Sequence, residues 1–264
     1  MRRNIIIACI LLVSTYVKAQ ELWLQPNKFF YVPGENLRVR FYTGENFIGH
    51  TSDLKKDNVG RLEIHQLKAM ADLMLTLKDD SKENFAVPLP NEGMQLIVMQ
   101  SKILHRELSA DQFSVYLKDN GLDEVINKRE QSSTSSKPGK ESYAYYDKLM
   151  IQVGEKRDET FNKVIGLPLE IVPMVSPYEM KVGDMVKFQI LFEGKPLFGA
   201  KVKVWSRADN RTIIQPIYTL QDGTVEARIS NKGMWMVSVV KLTPSTEVSA
   251  NWRTYLGNLV FAVK

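Results

Sequence analysis

The sequence predicts a mainly β protein of two β-sandwich-like domains, the second immunoglobulin- or transthyretin-like, with one helical insertion in the first. Three observations predict it. Apolar and polar residues alternate in short runs, as in Leu37-Arg38-Val39-Arg40-Phe41 and Val186-Lys187-Phe188-Gln189-Ile190, which is the period of a half-buried strand. Turn pairs punctuate these runs at Pro33-Gly34, Thr43-Gly44, Glu193-Gly194 and Asp222-Gly223. Helical spacing with matching caps is confined to about residues 109–130.

The chain opens with a leader pattern. Arg2 and Arg3 precede an apolar run from Ile5 to Val13, and Val17 and Ala19 are the small residues that precede a signal-peptidase cut. We therefore expect residues 1–19 to be removed and Gln20 to start the mature chain. The apolar run is shorter than the roughly 20 residues that span a bilayer, and no later segment is apolar for longer, so no transmembrane segment is expected. Ile6-Ile7-Ala8-Cys9 offers a rival lipoprotein route, in which Cys9 would carry a lipid anchor. Cys9 is also the only cysteine, so the mature chain has no disulfide framework, thiolate nucleophile or thiolate metal site. Of the formal charge of +5, Arg2, Arg3 and Lys18 leave with the leader, which takes it to +2. A surplus that small does not argue for nucleic acid.

The first domain is expected over residues 20–163. Met94 to Ile103 reads as a dense core strand. Ser109 with Gln112 three residues on forms a capping box, Leu108 and Phe113 form a hydrophobic staple, and Phe113, Tyr116 and Leu117 share one helical face. Asn120-Gly121 ends that helix, and Leu122 to Arg129 is expected as a second. Gln131 to Lys140 is Ser-rich and is expected as a mobile surface loop, and Glu141 to Val153 returns to the sheet. The second domain, residues 164–264, reads as strands throughout, closing with Leu256 to Val263.

No motif carries an enzyme's chemistry. There is no Gly-x-Ser-x-Gly elbow and no Gly-rich phosphate loop. Glu170 and Glu179 are the only carboxylates considered as a hydrolytic pair, the basis of a carbohydrate-active alternative. Asp222-Gly223 lacks the alternating oxygens of a calcium loop and reads as a turn, and Asn210-Arg211-Thr212 reads as a hairpin loop. His50, Asp53 and Asp57 form the one candidate divalent-metal set, beside the reading of the same stretch as a solvated loop. His65 and His105 are expected at the surface. Trp23 and Trp235 are expected in the core. Trp205, on the face of Lys201 and Lys203, is the candidate partner-contact residue.

Several stretches occur together in fixed order: Glu21-Leu22-Trp23-Leu24-Gln25-Pro26, Phe41-Tyr42-Thr43-Gly44-Glu45-Asn46-Phe47-Ile48-Gly49, Gly166-Leu167-Pro168-Leu169-Glu170-Ile171-Val172-Pro173, and Gly233-Met234-Trp235. With them the chain resembles a family of secreted bacterial proteins of unknown function often labelled NikM-like, periplasmic components of nickel and cobalt transport. The resemblance implies export, β-rich domains and a link to divalent-metal uptake. Where many of these relatives begin with His, this chain has Gln20, which removes a bidentate amine–imidazole ligand. Taken together, the sequence predicts an exported, periplasmic or envelope-associated, non-enzymatic binding or accessory protein without a cofactor. Its expected partner is an envelope transport or outer-membrane protein, and metal uptake is the alternative.

Overall fold

The structure, a computed structural model, describes residues 21–79, 82–208 and 211–264; the leader, Cys9, Gln20 and Asn210 lie outside them. In chain order the strands are β1 (Glu21–Pro26), β2 (Phe30–Tyr31), β3 (Asn36–Glu45), β4 (Ile48–Thr51), β5 (Val59–His65), β6 (Met70–Asp72), β7 (Phe85–Pro88), β8 (Gly93–Ser101) and β9 (Leu104–Leu108). Helices α1 (Ala110–Asp119) and α2 (Asp123–Gln131) follow. The remaining strands are β10 (Gly139–Val153), β11 (Leu169–Pro173), β12 (Met185–Phe192), β13 (Lys195–Pro196), β14 (Lys201–Ala208), β15 (Arg211–Tyr218), β16 (Thr224–Arg228), β17 (Gly233–Pro244) and β18 (Trp252–Val263).

The fold is mainly β and sandwich-like, as the alternation predicts, and its strands form three sheets. A four-stranded sheet runs β1-β3-β4, with β7 also on β3. A second four-stranded sheet runs β11-β12-β13, with β16 on β12. Between them a ten-stranded sheet is ordered β15-β14-β17-β18-β10-β8-β5-β6, with β2 and β9 pairing to β10. The central sheet continues across residue 163. There β10 and β18 pair in parallel, from Glu141 opposite Trp252 to Leu149 opposite Val260.

Side-chain alternation on the central strands feeds two cores. Tyr145, Leu149 and Ile151 of β10, Met236 of β17 and Val260 of β18 pack under the N-terminal sheet with Leu22, Leu24, Val39 and Phe41. Ala144, Tyr146 and Met150, Trp235 and Val237, and Leu259 and Phe261 point the other way, onto Leu169, Ile171, Phe188 and Ile190 of the C-terminal sheet. Both faces are covered, so these strands read as dense apolar runs rather than clean alternations.

The helical insertion follows its local signals. Ser109 accepts from Gln112 N, and Gln112 Oε1 accepts from Ser109 N at 3.0 Å. Leu108 and Phe113 are buried together with Leu117, Leu242 and Trp252, and Gly121 takes φ +62° at the end of the helix. The Ser-rich stretch after α2 lies at the surface as a run of turns, and Arg129 anchors it. Arg129 is buried, stacks 4.8 Å from the Phe113 ring, and donates from Nη2 to Ser135 O at 3.0 Å and Lys137 O at 2.7 Å. A guanidinium supplies enough donors to satisfy several loop carbonyls at once.

One polar layer lies beneath β1. Asp147 accepts from Asn258 Nδ2 at 2.9 Å, and the same amide donates to Leu22 O at 2.7 Å. The second Asp147 oxygen is buried without a partner. Burial holds the Asp147 carboxyl well above the usual carboxylate range. A carboxyl whose folded pKa is raised binds its proton more tightly when folded. Below the unfolded value of about 3.9 it has no effect; as pH rises toward the folded value, stability is lost at up to about 1.4 kcal/mol per pH unit. Asp147→Asn keeps the acceptor for Asn258 and never ionises. We predict that it is close to wild type in urea melts at pH 4 and more stable at pH 8. An equal difference at the two pH values would refute this.

Candidate functional site

The groove on the outer face of the N-terminal sheet is built by a hairpin and two arginine-bearing strands. β3 puts Leu37, Val39 and Phe41 into the core, which leaves Arg38, Arg40 and Tyr42 on the outer face. At its end the chain turns through Asn46 and Phe47, at φ +54° and +59°, the two positive values of a type I′ hairpin. Gly44 and Gly49 face each other across that hairpin. A Cβ on Gly49 would stand 2.2 Å from Thr43 O and 2.6 Å from Trp23 Cη2, and one on Gly44 would stand 2.1 Å from Ile48 O. The glycines thus let the hairpin close over Trp23, whose ring meets Phe47 edge-on at 5.4 Å and Tyr42 at 5.8 Å.

Phe47 also fixes the far wall. Its carbonyl accepts from Arg207 Nη1 at 3.3 Å, which brings β14 to the hairpin. Arg40 Nε donates to the Lys82 carbonyl, and Arg38 Nε lies 3.5 Å from Glu83. Asn27 Oδ1 accepts from Tyr31 OH at 2.8 Å and Arg38 N at 2.9 Å, which holds the near end. The result is a groove of about 930 Å³ with Arg38, Arg40, Lys82 and Arg207 on its walls and Glu83 as its one carboxylate among the described residues. The three arginines outnumber that carboxylate by two. A concentration of one sign of charge in a concave site attracts anions.

A second cleft, of about 870 Å³, lies on the opposite side of the central sheet, between the loop of Gly166, Leu167 and Pro168, the Glu193-Gly194 turn, and Arg253 and Tyr255. Arg253 lies 5.3 Å from the Tyr255 ring centre and donates from Nη2 to Tyr146 OH at 3.3 Å. The loop is fixed from within. Glu170 accepts from Ile165 N at 2.7 Å, Gly166 N at 2.8 Å and Leu167 N at 3.1 Å, and it pairs with the buried Lys148.

The residues singled out from sequence fall as follows. His50 is exposed on β4, Asp53 is exposed just after it, and Asp57 is exposed in the short 3-10 turn Lys56–Asn58. Among the described residues no group of three or more His, Cys, Asp or Glu is placed to hold a metal ion. Trp205 is a correction: it is only 4% exposed and donates from Nε1 to Ser238 Oγ at 3.0 Å, so it is no surface contact in this chain. The N-terminal sheet covers its face, and Lys203 on that face reaches Glu21 at 3.8 Å. Trp23 and Trp235 are buried as expected. Glu170 is buried against Lys148, whereas Glu179 is exposed near Arg157. His65 is half-buried, bonded to Glu63 at 2.7 Å, and exposed His105 pairs with Glu247 at 2.9 Å. Asp222 caps its turn by accepting from Thr224 N at 3.0 Å.

The groove arginines carry no distinguishing pattern in the sequence, because outward Arg on an alternating strand is what any solvated face shows. Arg207 joins them only through the pairing of strands far apart in sequence.

A family profile described as a domain of unknown function, DUF4198, matches residues 17–242. No curated protein matches the chain. Among solved structures it is similar to Salmonella α2-macroglobulin reacted with methylamine, with 10% identity, 91% of this chain and 15% of that chain covered, and a TM-score of 0.25. It is also similar to dimeric latent PorU from Porphyromonas gingivalis, with 10% identity, 97% and 21% covered, and a TM-score of 0.19. The chain spans less than a quarter of the length of either.

Proposed function

We propose a binding role from one premise: the chain belongs to the DUF4198 family, a domain of unknown function. It acts as an exported, non-enzymatic binding or accessory module of the cell envelope, and its ligand surface is the basic groove. One observation carries this reading. Three arginines, Arg38 and Arg40 of β3 and Arg207 of β14, are gathered on the walls of one groove beside a single carboxylate among the described residues. Each arginine is oriented by a neighbouring carbonyl or carboxylate and keeps further N–H donors for an anion. The absence of a mature cysteine and the burial of Glu170 against Lys148 support a role without catalysis.

Retention on immobilised heparin, used as a general anionic probe, tests the reading. The wild-type chain is expected to be retained at low ionic strength and released by salt, whereas the triple variant Arg38→Ser, Arg40→Ser, Arg207→Ser elutes early. Equal elution would sink the proposal. Calorimetric titration with nickel and cobalt separates it from the metal-uptake role that the NikM-like resemblance implies; binding lost on His50→Ala would favour that role instead.

A further inference from the structure

We infer that the groove takes an extended acidic polysaccharide rather than a single compact anion, an inference that rests on the anion-binding reading above. The cations are strung out. Arg38 and Arg40 stand two residues apart on one face of β3, about 7 Å along the strand. Arg207 is held at the other end, by the carbonyl of Phe47 at the tip of the hairpin. From Arg38 to the end of β3 at Glu45 the strand covers about 23 Å. A phosphate or a lone carboxylate is a few ångströms across and meets one or two of these groups. A chain bearing an acid on successive units meets all three arginines at once.

The lining beside the cations suits sugars. It carries the ring of Tyr42 and the amides of Gln25, opposite Arg40, and Asn27, level with Arg38; Gln25 already accepts from Trp23 Nε1 at 3.2 Å and donates to Pro26 O at 3.2 Å, which leaves it one N–H. The Asn27 oxygen is already taken by Tyr31 and Arg38, which leaves its amide N–H groups as donors to hydroxyls. Tyr42 is braced at its side by Trp23, its cross-strand neighbour. An acidic peptide is less well served. Peptides that dock on sheets add along a strand edge through backbone N–H and C=O groups, and the wall formed by Arg38, Arg40 and Tyr42 is a sheet face presenting side chains.

Galacturonate and its oligomers of increasing length are the probes, with polyglutamate as the peptide control, titrated into the mature chain by calorimetry. The expected result is weak binding of the monomer, affinity that climbs at least tenfold with length until the oligomer spans the groove, and then a plateau. The logarithm of the affinity for long oligomers should fall with the logarithm of salt concentration at a slope of about −2, as for three anions neutralised on a single flexible strand. Arg38→Ser should weaken long oligomers several-fold more than it weakens the monomer; its side chain is 67% exposed, so the fold does not depend on it. Arg207→Lys, which keeps the charge but loses the fork, should do the same from the other end. Monomer and oligomer binding equally tightly would overturn the inference and leave the anion site standing. Polyglutamate binding as tightly as the oligouronates would overturn the sugar assignment. No binding by any acidic probe would overturn both the inference and the reading beneath it.

Discussion

Glu170→Gln should lower the unfolding free energy by about 3–5 kcal/mol, because it strands the buried Lys148 ammonium without its counter-charge. Both side chains are almost fully buried, at 2% and 1% exposure, and water cannot replace the lost partner. Lys148 retains only carbonyl acceptors, Ile171 O at 3.2 Å and Lys163 O at 3.4 Å. For a chain of this size the melting temperature should fall by about 10 °C. The double variant Lys148→Met, Glu170→Gln removes both charges; its one amide oxygen can still accept from Gly166 N and Leu167 N, while its NH2 faces the Ile165 N–H, so it should recover part of the loss. Thermal melts of the three proteins decide the matter. A single variant that melts within about 2 °C of wild type would show that the pair is not what holds the loop.

Phe47→Ala should cost about 3–5 kcal/mol, the usual range for truncating a fully buried aromatic side chain. The position is unusual because Phe47 sits at φ +59°, in the left-handed region that a non-glycine residue enters at a cost of about 1–3 kcal/mol. The edge-on packing against Trp23 and the buried surface more than offset that cost. Truncation keeps the strain and discards the compensation. Chemical denaturation measures the loss, and a change below about 1 kcal/mol would mean that the hairpin is held by its turn alone. The variant should also weaken binding in the groove, because the Phe47 carbonyl orients Arg207.

What could be read from the sequence was local. The capping box of Ser109 and Gln112, the Phe113 face and the Gly121 stop each depend on residues within a turn or two, so α1 lies where its pattern places it. Strands such as β3 and β12 announce themselves because one side stays wet. Trp205 shows the limit. Its alternation with Val202 and Val204 gives the correct face, but whether that face meets water depends on β1 lying across it, and no local pattern says so. The parallel pairing of β10 with β18 joins segments about 110 residues apart, and it decides that both cores draw on both halves of the chain. The groove is of the same kind. Its hairpin turns at Asn46 and Phe47, not at the Thr43-Gly44 pair that the sequence marks as a turn and that lies inside β3, because the strand runs on to Glu45 opposite Ile48; its electropositive character exists only once β14 has delivered Arg207.

The position of β18 bears on the order in which this molecule can be assembled. Residues 252–263 emerge from the ribosome after the other seventeen described strands, yet they fill the slot between β17 and β10. Until they arrive, two long ribbons stand open, each greasy on both sides and ready to capture a neighbouring molecule. Maturation is thus a race between a distant intramolecular insertion, slow because it must close the long loop between them, and intermolecular capture, which quickens with concentration. Dilution, more than the choice of denaturant, should govern how much protein returns from the unfolded state.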